Sequence, residues 1–185
     1  MIDPISGKAR RDRYGSKINR THSPILAYAT PWVTIMFASL LPRLPIASAI
    51  PLVPPLGYLM MIAWRLVRPG LLPVWAGTIL GMFDDLFSGQ PFGSATLLWS
   101  LTMLSIELLE ARFPWRGFLQ DWLVGIVFIA AYLIVAAILS GARIEIVAIV
   151  VLAPQFLLSI CVFPIIARMV AVLDRFRLMR VRVIG

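Results

Sequence analysis

The chain of 185 residues is 60% hydrophobic and only 14% charged, with a mean hydropathy of +0.89. That balance excludes a soluble globular domain; at about 20 apolar residues per pass it leaves an integral membrane protein of roughly five or six spans with very short loops. Lys and Arg outnumber Asp and Glu by 17 to 9. In a soluble protein this excess would suggest nucleic acid, but here the cations sit at the ends of apolar segments, where they set membrane orientation.

Residues 1–24 carry Lys8, Arg10, Arg11, Arg13, Lys17 and Arg20 and no apolar period to bury, which reads as a basic tail. Such a tail acts as a topogenic anchor, or attracts anionic lipid or an acidic partner. The apolar run after it continues without an Ala-x-Ala site, so a cleaved signal peptide is not expected. The first membrane segment extends from about Ile25 to Leu41, with Pro31 one turn in. The second, Ile50 to Val67, opens on Pro51, Pro54 and Pro55, so its start is irregular or re-entrant before Leu56–Leu66 becomes helical. Leu71–Phe87 is the third and Gly93 to about Leu109 the fourth. Phe118–Leu139 is the fifth. The sixth, Ile144 to about Leu173, is long enough to bend at Pro154 and Pro164. A basic tail, 174–185, follows; its alternating Arg175, Arg177, Arg180 and Arg182 suit a strand or an extended segment on an anionic bilayer.

Charge gives the orientation. With six spans and both termini cytoplasmic, fifteen of the seventeen cations fall inside, and only Arg43 and Arg143 fall in outer turns. The fold expected is therefore an all-α polytopic membrane protein of six transmembrane helices with short loops, its body at 25–173 between the tails 1–24 and 174–185.

The third segment carries a repeat at every fourth position: Gly77, Gly81, Asp85, Gly89 and Gly93. On a helix the first three make a smooth strip ending in a carboxylate, a small-xxx-small device that lets another backbone approach. Ser88-Gly89-Gln90-Pro91 is turn chemistry, so the helix ends near Phe87 and places Asp84 and Asp85 at one membrane face. Asp85 has three readings: capping the turn by accepting donors around Ser88 and Gly89, pairing with Arg143 or Arg43, or receiving a residue of a partner protein. Asp84, about 100° round the helix, reaches water at the membrane edge. Glu107 has Arg65, Arg68 and Arg112 as possible partners. The six tryptophans fall mostly near segment ends and read as interface anchors.

Catalysis is not expected. Intramembrane aspartyl proteolysis needs two facing carboxylates from different helices, whereas Asp84 and Asp85 are neighbours and diverge. The lone His22 precedes the first segment, where a flanking polar residue is commoner than a metal ligand, and Cys161 has no partner for a disulfide. No metal cluster or phosphate loop is present in the sequence, and no cofactor is expected.

Over Gly77–Glu107 the sequence resembles the bacterial rod shape-determining MreD family, short proteins that are nearly all membrane helix and carry a G-x-x-x-D-x-x-x-G-x-x-x-G run. Here the run is Gly81, Asp85, Gly89 and Gly93, with Asp85-Leu86-Phe87-Ser88-Gly89 at its centre. Asp84 is an extra acid beside the family position. The resemblance implies a non-enzymatic, multi-pass component of the bacterial inner membrane in the cell-elongation machinery that serves peptidoglycan synthesis. It would bind an MreC-like bitopic periplasmic protein and, through it, help place an MreB-like actin homologue, a RodA-like glycosyltransferase and a class B penicillin-binding protein; membrane lipid, not nucleic acid, is its surroundings. The family is also similar in fold to the S-components of vitamin transporters. That gives the alternative, a small-molecule-binding membrane protein with a polar pocket at the outer end built from Asp84, Asp85, Ser88, Gln90 and Gln155.

Overall fold

The computed structural model describes residues 20–22, 24–43, 53–113, 117–141, 146–178 and 180–182. Among them the chain forms six helices: α1 (Pro24–Leu40), α2 (Leu56–Val67), α3 (Ala76–Ser88), α4 (Ser94–Arg112), α5 (Phe118–Leu139) and α6 (Ile146–Arg177). Each of the six apolar segments of the sequence holds one helix. A 3-10 turn at Leu41–Arg43 follows α1, and two short strands, β1 (Arg20–His22) and β2 (Arg180–Arg182), pair antiparallel with Arg20 opposite Arg182. The basic residues from Lys8 to Lys17, the side chains of Arg43 and Arg116, and all of Arg143 and Glu145 lie outside the described residues, as does Pro51.

Two boundaries differ from the sequence reading. The third helix begins at Ala76, not near Leu71. Pro73 has no N–H to join a helical ladder, and its carbonyl instead accepts the Ala76 N–H at 2.9 Å, so 68–75 forms a turn with Gly70 at φ 79. At the other end of the chain α6 runs on through Arg177, past the expected boundary at Leu173 and through both Pro154 and Pro164. Asp174 is what carries it on. Its carboxylate accepts from Arg177 Nε at 2.7 Å and Arg68 Nε at 2.8 Å, so the last turn is anchored by charge where apolar residues run out.

The centre of the bundle is α2. Every residue from Gly57 to Leu66 is buried, as expected of a helix apolar on all sides, and α2 touches α1, α4, α5 and α6. The outer helices have the opposite pattern, with large apolar side chains turned outward: Phe37 on α1, Leu86 on α3, Leu101 on α4, Val127 on α5 and Ile165 on α6 are all more than half exposed. Outward-turned apolar side chains on five helices suit a lipid surrounding. Helix α5 and Leu152–Arg177 of α6 are each long and apolar enough to cross a bilayer, while Leu26–Leu40 and Leu56–Val67 are apolar but shorter. Trp64 and Trp99 are fully buried in the core, so these two are not interface anchors; each ring is held between helices.

The helices alternate in direction, which sorts the polar residues to two ends. One is an arginine end: Arg65 of α2 pairs with Glu107 and Glu110 of α4, and Arg68 pairs with Asp174 of α6. Arg177 Nη1 reaches the carbonyl oxygen of Ala27 in the first turn of α1 at 3.1 Å, and the strand pair brings the chain's two terminal segments together. The opposite, turn end holds the α3–α4 connection, the end of α1, and Gln155 of α6, whose Nε2 donates to Val53 O at 3.0 Å.

Candidate functional site at the α3–α4 hairpin

Among the described residues, helices α3 and α4 make the most extensive helix pair. The bare positions on α3 are the reason. A Cβ placed on Gly77 would stand 2.8 Å from Trp99 O and from Met103 Cγ, and one on Gly81 would stand 2.7 Å from Thr96 Cα and 2.8 Å from Ala95 O. Real side-chain carbons do not approach so closely, so the two backbones meet only because these residues are glycine. Thr78 and Ser100 hydroxyls pair across the same seam at 2.9 Å. The strip therefore faces α4 of its own chain.

Four residues past Gly81, Asp85 is 5% exposed. Its Oδ2 accepts from the Gly93 N–H at 3.0 Å, the Thr96 N–H at 3.0 Å and Thr96 Oγ1 at 2.6 Å; its Oδ1 accepts from the Ala95 N–H at 2.8 Å. The first N–H groups of a helix have no intrahelical acceptor, and Gly93, the residue at the N-cap, has no side chain to supply one. Asp85 supplies it from the preceding helix, with a negative charge on the positive end of the α4 dipole. The donors lie at Gly93–Thr96, not at Ser88 and Gly89, the positions nearest in sequence. The connection folds back tightly enough for this because Gly89 ends α3 at φ 69 and Gly93 opens α4 at φ 93, both left-handed conformations. Gln90 and Ser88 tighten the loop through Gln90 N–H to Ser88 Oγ at 3.4 Å and Ser94 Oγ to Gln90 Oε1 at 3.3 Å.

Asp84 points elsewhere. Together with Ser88, Gln90 and Gln155 it lines a polar cavity of about 320 Å3 at the turn end, bounded by α1, α2, α3, α5 and α6. Gly77, Gly81, Asp85 and Gly93 are thus brought together on the α3–α4 seam, Gly89 shapes its turn, and Asp84 belongs to the cavity on the other side of α3. The charged network at the arginine end was only partly foreshadowed. Of the three candidate partners of Glu107, Arg65, Arg68 and Arg112, the structure gives it Arg65; the pairing of Glu110 with Arg65 and the Arg68–Asp174–Arg177 chain are not among the sequence expectations. A signal was present: Glu107 and Glu110 lie three apart and so share a helix face, and Arg65 directly follows the core residue Trp64.

Across this frame the family model of the rod shape-determining protein MreD matches residues 25–177, which takes in α2 to α6 whole and all but the first residue of α1. No curated protein and no solved structure matches the chain. The match covers well over half of the sequence and contains both the glycine strip and the Asp85 cap; the chain belongs to the rod shape-determining MreD family.

Proposed function

We propose that the protein is a non-enzymatic scaffold of the cell-elongation machinery in the bacterial inner membrane. It crosses the membrane six times with both termini in the cytoplasm, its body at 25–173 flanked by basic segments at 1–24 and 174–185. The arginine end is cytoplasmic in this reading, because the positive-inside rule puts Arg65, Arg68, Arg112 and the terminal cations there. The α3–α4 turn then faces the periplasm.

The observation that carries the scaffold reading is the filled carboxylate of Asp85. Four donors occupy its two oxygens, so the residue is engaged in building the hairpin and not in chemistry on a substrate. What the hairpin presents outward is apolar: Leu86, Phe92 and Leu97 are half or more exposed around the turn. This rigid edge is suited to hold the membrane-proximal part of an MreC-like bitopic partner, through which an MreB-like actin homologue, a RodA-like glycosyltransferase and a class B penicillin-binding protein are placed.

Site-specific photo-crosslinking in native membranes tests this. A photoreactive residue at Phe92 or Leu97 is expected to capture a bitopic elongation protein, identified by mass, while one at Val127 on α5 captures lipid only. Capture of that partner from Val127 but not from Phe92 or Leu97 would refute the hairpin as the contact. Absence of every elongation protein from both crosslinked and co-purified fractions would refute the scaffold.

A further inference from the structure

The register of the β1–β2 pair sets like charges face to face. Arg20 stands opposite Arg182 and His22 opposite Arg180, with Thr21 opposite Val181 between them. Positions two apart in a strand belong to one face, and directly paired positions share it, so three arginines and a histidine occupy one face of the ribbon. Like charges directly opposite are destabilising, and two strands of three residues each have little else to hold them together. A counter-charge on that face turns the repulsion into attraction.

The chain's own acids do not suffice for this. The stretches that lead into or out of the helices at the arginine end, 1–24, 65–70, 107–121 and 168–185, contain fifteen Lys and Arg against six Asp and Glu. Whatever pairs form among them, a cationic excess remains. Three of the six acids are already engaged, Asp174 with Arg68 and Arg177, and Glu107 and Glu110 with Arg65. The balancing anion therefore comes from outside the chain.

Position selects the anion. β1 ends at His22, just ahead of α1 at Pro24, and β2 begins at Arg180, just after α6 ends at Arg177. The bond from Arg177 Nη1 to Ala27 O at 3.1 Å holds those two helix ends side by side. The ribbon thus continues directly from the ends of two apolar helices, at the level where lipid phosphates lie. Tyr28, one turn into α1 and 67% exposed, is a side chain suited to that same interfacial level. Clustered arginines beside a membrane helix attract anionic lipid, and guanidinium groups match phosphate oxygens with paired N–H donors. An acidic protein would have to be recruited to this spot, whereas headgroups already surround it.

We propose that the β1–β2 ribbon binds the phosphate of an anionic phospholipid, with Arg20, Arg180 and Arg182 as its counter-charges, and that the bound lipid closes the ribbon. The site lies at the opposite end of the bundle from the α3–α4 turn and is independent of any partner held there. Its occupancy ties the start of α1 to the end of α6.

The test follows closure of the ribbon through its other face. Thr21→Cys and Val181→Cys are introduced together into the full chain in a Cys161→Ser background, and the protein is placed in nanodiscs of phosphatidylcholine alone or mixed equally with phosphatidylglycerol. Disulfide formation with diamide, a neutral oxidant, is read by peptide mass. The expected rate is about fivefold or more higher with phosphatidylglycerol, and inorganic phosphate added to the phosphatidylcholine discs does not reproduce the gain. Arg180→Gln with Arg182→Gln removes the repulsion and the lipid's hold together, so the rate no longer depends on the lipid. Arg112→Gln with Arg168→Gln, which removes the same charge from exposed positions on α4 and α6, keeps the dependence. Equal rates in the two bilayers overturn the proposal and leave an acidic protein as the counter-charge. It is also overturned if inorganic phosphate matches the lipid, if the dependence survives Arg180→Gln with Arg182→Gln, or if the Arg112 and Arg168 control loses it. Should the Arg180 and Arg182 variant fail to fold, the two bilayers and the phosphate arm decide on the parent chain.

Discussion

Gly81 lies so close to Thr96 that a methyl group on it would stand 2.7 Å from the Thr96 Cα. All three of its nearest atoms are backbone, of Ala95 and Thr96, whereas at Gly77 one of the nearest is the flexible Met103 Cγ. A methionine side chain can turn aside; a helix backbone cannot. Gly81→Ala is therefore expected to be destabilising by about 1–3 kcal/mol, more than Gly77→Ala, and Gly81→Leu to abolish the folded hairpin. Thermal denaturation of the detergent-solubilised variants, followed by monodisperse elution, gives the order. Equal Tm values for Gly81→Leu and wild type would mean that the two backbones do not meet.

The Asp85 cap makes a graded prediction. Asp85→Ala leaves the Gly93, Ala95 and Thr96 N–H groups in an apolar setting without their acceptor, with an expected loss on the order of 2–4 kcal/mol. Asp85→Asn keeps one acceptor oxygen but removes the charge from the helix N-terminus, and is expected to fall between the two. Thr96→Val removes only the 2.6 Å hydroxyl bond and is expected to be milder than either. The series is read as Tm. A Thr96→Val loss exceeding that of Asp85→Ala would place the weight on the hydroxyl, contrary to the geometry.

The helix count was legible because each apolar run is bounded by Pro, Gly or Arg, and those residues act locally. The glycine strip was legible as a close-approach device for the same reason: a spacing of four is a property of one helix. What it packs against is not. The partner of Gly81 turned out to be the next helix along the chain, a tertiary fact that spacing alone leaves open. The donors of Asp85 were misplaced by four to eight residues because sequence proximity favoured Ser88 and Gly89; the two left-handed glycines bring Gly93–Thr96 nearer in space. Asp174 looked like the start of a tail because charge usually ends a membrane segment. Its two arginine partners, one of them 106 positions away, keep it inside the helix.

Arg65 is nearly fully buried and shares its charge between two acids of α4, Glu107, half exposed, and Glu110, mostly buried. Removing one partner from such a cluster is worse than removing the cluster, because a buried charge is left behind. Arg65→Ala is expected to be destabilising by about 3–5 kcal/mol. Arg65→Met with Glu110→Gln, which fills the volume and deletes both buried charges, should recover most of the loss. Glu107→Gln alone, at the exposed side, should shift Tm least. A double variant no better than Arg65→Ala would show that the ion pairs hold α2 on α4 in a way packing cannot replace.

The arginine end also contains a test of how a proline is accommodated. Pro31 lacks the N–H that would bond the Ala27 carbonyl one turn back in α1. That oxygen is taken by Arg177 Nη1 at 3.1 Å, so the last turn of α6 completes the first turn of α1. Arg177→Ala is expected to cost about 1–3 kcal/mol in the wild-type background. In a Pro31→Ala background residue 31 regains its N–H and supplies the bond itself, and the same Arg177→Ala change should cost less. Arg177 also binds Asp174 at 2.7 Å, but that contact is lost equally in both backgrounds and cancels in the cycle. A coupling of about 0.5 kcal/mol or more between positions 31 and 177 is the expected result. Strict additivity would show that the Ala27 oxygen is satisfied by other means, and that Arg177 acts only through Asp174.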